Sequence, residues 1–458
     1  METEYLETSN KEFVKRLLLL AVPIMGQNLL MASVSFVDTL MIGMIGENAL
    51  AAVGLANQIF FLITLFFFGV SSGSAIFIAQ YWGAQDTKTM HKIMGIAVVL
   101  NLIGATFATL STLFFPQQVM RIFTNDPVVI KLGSEYLIIV AISYLFTAIV
   151  MVYSTASRAT GNAKIPLYMA FVSMLVNIVF NYVLILGKFG FPRLEVKGAA
   201  LATAIARLVE LCLLLTIIYK GKSAAASPIR QMLSFNSSLF KRFFKTCTPV
   251  ILNEMFWALG MTAYKIAFAK MGVTVIASVN VTEAIQSLFF VALMGISNAS
   301  AIMIGNRIGE NKIDLASNYA KRLLIIGLLG GVVLGSLLAL FSPYLPIPFN
   351  LTAQVAKMTT LSLLTLSLLV PIKAFNMVSI IGVLRSGGDT HFSMFAELVA
   401  VWVIGVPFAF FGAFVLKLPI HILYLFVGSE EAFKFIIGLL RIRSGKWINR
   451  LTEESVSI

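Results

Sequence analysis

The chain has 458 residues, of which 59% are hydrophobic and 12% charged, where a soluble domain carries about 25% charged residues. A polypeptide of this make-up cannot cover itself with polar surface in water, which excludes an ordinary soluble fold. A net charge of +13 would suit a nucleic-acid partner, so the placement of the basic residues has to decide what that charge means.

The apolar residues lie in long uncharged stretches, such as those between Arg16 and Asp38 and between Glu47 and Asp86. A bilayer-spanning helix needs about 20 such residues. The runs are continuous and do not alternate as barrel strands do, and a helix satisfies its own backbone in lipid. The expected fold is an all-α membrane protein with twelve transmembrane helices, centred near residues 28, 64, 103, 144, 176, 208, 256, 290, 330, 368, 404 and 430. Ahead of the first, METEYLETSNKEFVKR carries acidic residues before Lys15 and Arg16, and no small-residue cleavage site follows. That span reads as retained.

Of the 34 basic residues, 22 fall in the termini and in the loops after even-numbered helices, and 8 in the opposite loops. The remaining four, Arg207, Lys265, Lys373 and Lys434, lie within spans. By the positive-inside rule this predicts a multi-pass protein of the cell inner (plasma) membrane with both termini cytoplasmic. It also accounts for the basic balance with no nucleic acid as partner. Cys212 and Cys247 fall in or beside helices near the cytoplasmic side, where disulfides are rare, and their spacing fits no metal site.

An internal repeat organises the chain. A shift of 226 residues lays Pro23 on Pro249, Gly46 on Gly272, Gly69 on Gly295, Ser71 on Ser297 and Gly83 on Gly309. A shift of 227 lays RATGNAK (158–164) on RSGGDTH (385–391), expected in cytoplasmic loops. Six spans separate equivalent positions, so the halves run parallel as two pseudo-symmetric six-helix lobes, with a cleft between them as the natural substrate route. The expected divisions are a lobe over 1–220, a cytoplasmic linker over 221–242, and a lobe with its tail over 243–458.

Polar residues inside spans are the functional candidates. Asp38, in SFVDTLMIG, lies deep in the first helix, where a carboxylate at the centre of an inserted helix costs roughly 2.5–3.5 kcal/mol. Pro23, fifteen residues earlier, removes a backbone hydrogen bond and is expected to kink that helix. Asn177 and Asn181 stand four apart on one face of helix 5, where their oxygens suit a monovalent cation, a water beside Asp38, or hydrogen bonds between helices. Thr203 in helix 6 is a weaker candidate, because Thr commonly bonds its own helix backbone. Arg207 and Glu210 are expected to neutralise each other. In the second half Glu254, Glu283 and Lys373 are expected at the cleft, with Glu254 and Lys373 as an ion pair. Glycines 327, 331 and 335 form two GxxxG spacings, a packing signal. The chain carries no phosphate loop, HExxH or GxSxG, so an enzyme or an ATP-driven pump is not expected and an ion gradient is the remaining energy source.

Taken together, P-x14-D with FVDTLMIG, GVSSGSAIFIAQYWGAQD, RATGNAK, GAALATAIAR and GVLRSGGDT resemble the multidrug and toxic compound extrusion family, in its bacterial NorM branch or a neighbouring one. The resemblance implies alternating-access antiport: export of small, drug-like and often cationic organic compounds in exchange for Na⁺ or H⁺, with no other cofactor. The protein would act as a monomer in the lipid bilayer. The resemblance puts the cation site at Asp38, Asn177 and Asn181, with Thr203 nearby, and the only metal implied is a Na⁺ at Asp38. Positions aligned with the two carboxyl-lobe acids of the NorM branch hold Trp257 and Ala374, so that branch's second site does not carry over. The alternative is a flippase for lipid-linked precursors, of the related superfamily; such a protein would call for a strongly cationic cleft.

Overall fold

The structure, a computed structural model, describes residues 10–349 and 351–452; the remaining residues, which include the extreme ends assigned above to the cytoplasm, lie outside the described residues. In the first half α1 spans Asn10–Gly43, α2 Glu47–Gly83 and α3 Thr87–Phe114. Helix α4 runs over Pro127–Val140 and on through Ile142–Ala159, α5 over Lys164–Leu186 and α6 over Glu195–Lys220. In the second half α7 spans Ser237–Ala269, α8 Val273–Gly309 and α9 Ile313–Phe341. Helix α10 spans Ala353–Arg385 and α11 Thr390–Val415, and α12 is Ile420–Val427 continued by Ser429–Arg443. Each of the twelve expected centres falls within one of these.

Among the described residues nine helices are long and apolar enough to cross a membrane, ten with the bent pair that forms α4. The two outside that set fall short for different reasons. Helix α12 is broken at Gly428 into pieces of 8 and 15 residues, and the apolar run of α7 is diluted by Asn253, Glu254 and Lys265. Helices α2 and α8, repeat equivalents, have 37 residues each, about 55 Å of rise against a hydrocarbon core of about 30 Å. Their ends therefore reach past the apolar region.

Interruptions in the helices have local causes. Helix α4 bends by 50° at Ala141, where Thr109 Oγ1 on α3 donates to the Ala141 carbonyl at 2.9 Å and so accepts the break in the backbone ladder. Helix α11 widens into a π turn over Val399–Gly405 immediately ahead of Pro407. A proline has no N–H and its ring crowds the carbonyl four residues back, and a wide turn absorbs both. Helix α10 ends in another such turn, Val378–Arg385. Pro23 and Pro249 sit inside α1 and α7 without ending them.

The repeat is visible in the backbone. Gly46 and Gly272 have φ of 141° and 127°, Gly161 and Gly388 have 92° and 80°, and Gln85 and Asn311 have 60° and 61°. Equivalent turns in the two halves thus use the same left-handed residue, mostly glycine because it lacks the Cβ that opposes positive φ.

By contact the chain forms two compact units. One holds the described residues up to Met25, with Ala79–Gln85 and Thr248 onward; the other holds Gly26–Ile78 and Asp86–Cys247. This grouping assigns the two parts of α1 to different units just after Pro23, where the sequence reading divides the chain only at 221–242. Inside the first unit the ends of α2 and α8 cross reciprocally: a Cβ on Gly83 would strike the Asn306 backbone, and one on Gly309 would strike the Gln80 backbone. In that unit Gly331 packs on Pro371 and Ala374, and Gly335 on the Ser367 carbonyl, the close α9–α10 approach that the GxxxG spacing predicts. The second unit has its core around Phe67, Met120, Leu137, Tyr144 and Ile185.

Candidate functional site

In the second unit, Asp38 lies five residues before the end of α1 and is half-buried. Asn177 and Asn181 on α5 are 3% and 1% exposed. Their i, i+4 spacing places both amides on the face that meets α1. The Asn181 amide nitrogen donates to Asp38 Oδ1 at 2.5 Å and to Asn177 Oδ1 at 3.1 Å. Its own Oδ1 is buried and has no partner, a condition that costs about 1–3 kcal/mol. A carboxylate and a neighbouring unsatisfied amide oxygen make a set of hard oxygen donors. A proton on Asp38 or a monovalent cation beside it would answer both.

Thr203 Oγ1 donates to Ala199 O at 3.0 Å, within its own helix, as its residue type suggests. The Tyr136 phenol stands close to Thr203 and donates to Asn57 Oδ1 at 3.4 Å. Arg207 Nη1 meets Glu210 Oε2 at 2.7 Å, the expected neutralising pair. Pro23 lies fifteen residues before Asp38 on the same helix and belongs to the first unit.

The first unit corrects one expectation. Glu254 Oε1 pairs with Arg385 Nη1 at 2.7 Å, not with Lys373, whose Nζ stands over the Phe290 ring, 5.8 Å from its centroid. Lys373 and Arg385 are twelve residues apart on α10, about 18 Å of rise, so a carboxylate that meets one is out of reach of the other. Glu283 pairs with Lys265 at 2.7 Å, both well exposed. Glu254, Glu283 and Lys373 therefore do not form one group. Arg385 itself, expected in a loop, is the last residue of α10 and is buried; Arg158 likewise lies in α4.

A larger network surrounds that pair. Arg385 Nη2 is 4.0 Å from Glu397 Oε2, which also accepts from Asn253 Nδ2 at 3.4 Å. On α12, Glu430 Oε2 accepts from the Tyr264 hydroxyl at 2.5 Å. Lys434 Nζ lies 2.9 Å from Glu431 Oε1 and 3.9 Å from Glu430 Oε1. Asn376 Nδ2 donates to Glu431 Oε2 at 2.7 Å. Gly405, in the wide turn of α11, faces the Tyr264 hydroxyl and Glu430, where any Cβ would collide with both. Sequence reasoning passed over Glu430 and Glu431. The signal was available, since three charges within five residues of a predicted span are expensive unless they pair.

Comparison with known proteins adds an independent line. A family model described as MatE matches residues 23–183 and again 249–411, starting at the two prolines that the 226-residue shift superposes. The chain is 26% identical over 448 residues to the probable multidrug resistance protein NorM of Thermotoga maritima, covering 97% of this chain and 96% of that protein. It is 27% identical over 428 residues to the probable multidrug resistance protein YoeA of Bacillus subtilis, covering 93% and 91%. Among solved structures, the Vibrio cholerae MATE transporter VcmN in the bent form matches with a TM-score of 0.87 at 19% identity, over 97% of this chain and 100% of that one. An outward-facing multidrug resistance MATE family transporter matches at 0.85 and 20%, over 94% and 95%. At these identities the structural likeness concerns the fold.

Proposed function

This chain belongs to the MatE family of transporters, and from that premise we propose that it is a secondary antiporter that exports drug-like, often cationic organic compounds from the cytoplasm in exchange for Na⁺ or H⁺. It is a multi-pass membrane protein, and on this reading it works in the inner (plasma) membrane with both termini cytoplasmic, as a monomer and not as an enzyme.

The observation that carries the reading is the contact of Asp38 with Asn181 and, through it, Asn177. A lone carboxylate among neutral amides changes the local charge by one whenever it takes up a proton or a monovalent ion. Alternating access then follows from mutual exclusion: ion uptake at Asp38 and substrate binding each favour the state with one charge fewer to solvate, and the exchange of one for the other turns the cycle. No metal beyond a transported Na⁺ and no cofactor enters this scheme.

The test is ethidium movement in inverted vesicles from a transporter-deficient host, with Na⁺ and H⁺ gradients imposed separately. One of the two gradients drives uptake by the wild type, and Asp38→Asn abolishes that response. Gradient-driven uptake retained in Asp38→Asn removes Asp38 as the coupling residue. No response of the wild type to either gradient removes the antiport reading.

A further inference from the structure

The repeat sets an arginine at the same place in each half, Arg158 on α4 and Arg385 on α10, 227 residues apart. Each reaches the first helix of its own half. Arg385 Nη1 donates to Glu254 Oε1 on α7 at 2.7 Å, and Arg158 Nη1 donates to Gln27 Oε1 on α1 at 2.8 Å. Under the 226-residue shift Gln27 falls on Asn253, the neighbour of Glu254. The scaffold is shared, but the charge balance is not.

Arg385 is 4% exposed and has Glu254 and Glu397 within 4.0 Å. The other partner of Arg158 is Thr155 Oγ1 at 3.0 Å, and among the described residues it makes no ion pair. Its guanidinium is thus held by two neutral oxygens that orient it without neutralising it. An arginine has five N–H groups in a planar fork, and these two contacts leave the others. The Nε of Arg385 is buried and unpartnered, whereas Arg158 is only half-buried and its Nε is not among such atoms. Arg158 therefore keeps an accessible edge. A cation partly withdrawn from water and without a counter-charge is costly inside a membrane protein, and an oxyanion with two oxygens in one plane is the ligand that its fork fits.

We propose that Arg158, oriented by Gln27 and Thr155, is a binding site for an oxyanion carried by the transported compound, a carboxylate in the first place. The inference rests on the reading of the protein as an exporter of small organic compounds, and it names the residue that receives the anionic end of such a compound. A phospholipid phosphate offers the same chemistry, so the test separates the two sources.

The measurement is equilibrium dialysis of a fluoroquinolone and its decarboxylated analogue against the full-length protein, purified in detergent, with and without added phosphatidylglycerol. The wild type prefers the carboxylate on the order of ten- to a hundredfold, the range expected for a charged hydrogen-bonded contact, in both preparations. Arg158→Gln removes the preference, and Arg158→Lys keeps part of it, because an ammonium supplies charge without the fork. Gln27→Glu removes it while leaving the arginine in place: it sets a carboxylate where Gln27 Oε1 now meets Nη1 and reproduces the arrangement at Arg385. A preference unchanged in Gln27→Glu and Arg158→Gln overturns the site. So does a wild type that binds both compounds equally, and a preference that disappears on adding lipid assigns the arginine to a headgroup instead. Ethidium bears no oxyanion, so failure of its export by the wild type counts against the proposed function and leaves the carboxylate preference to be judged separately.

Discussion

Asp38 on α1 and Tyr264 on α7 are repeat equivalents, but Asp38 is an acid received by the Asn181 amide of α5, while Tyr264 is a phenol that donates to an acid on α12. The two arginines differ in the same sense, Arg158 resting on neutral oxygens and Arg385 on carboxylates. In the first half, Asp38 and Arg158 are single charges oriented by neutral groups, beside the paired Arg207 and Glu210. In the second, Glu254, Glu397, Glu430 and Glu431 are met by Arg385 and Lys434 inside the protein. The repeat supplies one scaffold, on which Asp38 and Arg158 rest on neutral groups while the second half gathers a network of paired charge.

Substitutions can break or sharpen that contrast. The largest effect is expected at Asp38, where Asn replaces the one acid of its cluster: transport driven by an ion gradient is lost altogether, while the thermal stability of the purified protein stays within about 1 kcal/mol of wild type, as for a conservative change. Next comes Arg385→Gln, which strands two carboxylates. Breaking a buried pair by removing one partner costs about 3–5 kcal/mol, read as a lowered midpoint in thermal unfolding. Arg158→Gln strands no charge and is expected to stay within about 1 kcal/mol of wild type in the same assay. Equal destabilisation by the two arginine variants would erase the distinction between the halves.

Tyr264→Phe takes from Glu430 its hydroxyl donor, a hydrogen bond to a group of this kind being worth about 1.5–3 kcal/mol. A loss of transport without loss of stability in that variant would move Glu430 from the structural to the exchangeable class. The smallest effects are expected at the shared turns. Gly161→Ala places a Cβ at a φ of 92° with nothing within 4 Å of it, for about 1 kcal/mol. Gly388→Ala adds a contact with Asn449 Cβ at 3.1 Å, so it should melt lower than Gly161→Ala.

Helix number, order and the repeat were legible because they depend on apolar run length and on glycine and proline, which act through the local backbone. The grouping of Asp38 with Asn177 and Asn181 was half legible: the i, i+4 spacing aligned the amides, and only the packing of α1 against α5 brought them to the carboxylate. The pairing of Glu254 was misread, since a charge on one helix gives no depth along its neighbour, and Lys373 and Arg385 on α10 are separated by more than a side chain can span. Glu430 and Glu431 were legible as charges in a span with Lys434 at i, i+3 and i, i+4 spacing, but their other partners, Tyr264 and Asn376, lie on other helices and carry no local mark.

The sequence by itself determined that this protein is an all-helical membrane protein of two repeated halves, because burial of an uncharged backbone in lipid leaves helices as the solution and the shifted prolines and glycines mark the copies. Tertiary structure alone decided which charges pair across helices, because such a salt bridge depends on the depth and rotation of two helices relative to each other, and those are set by packing between side chains far apart in the chain.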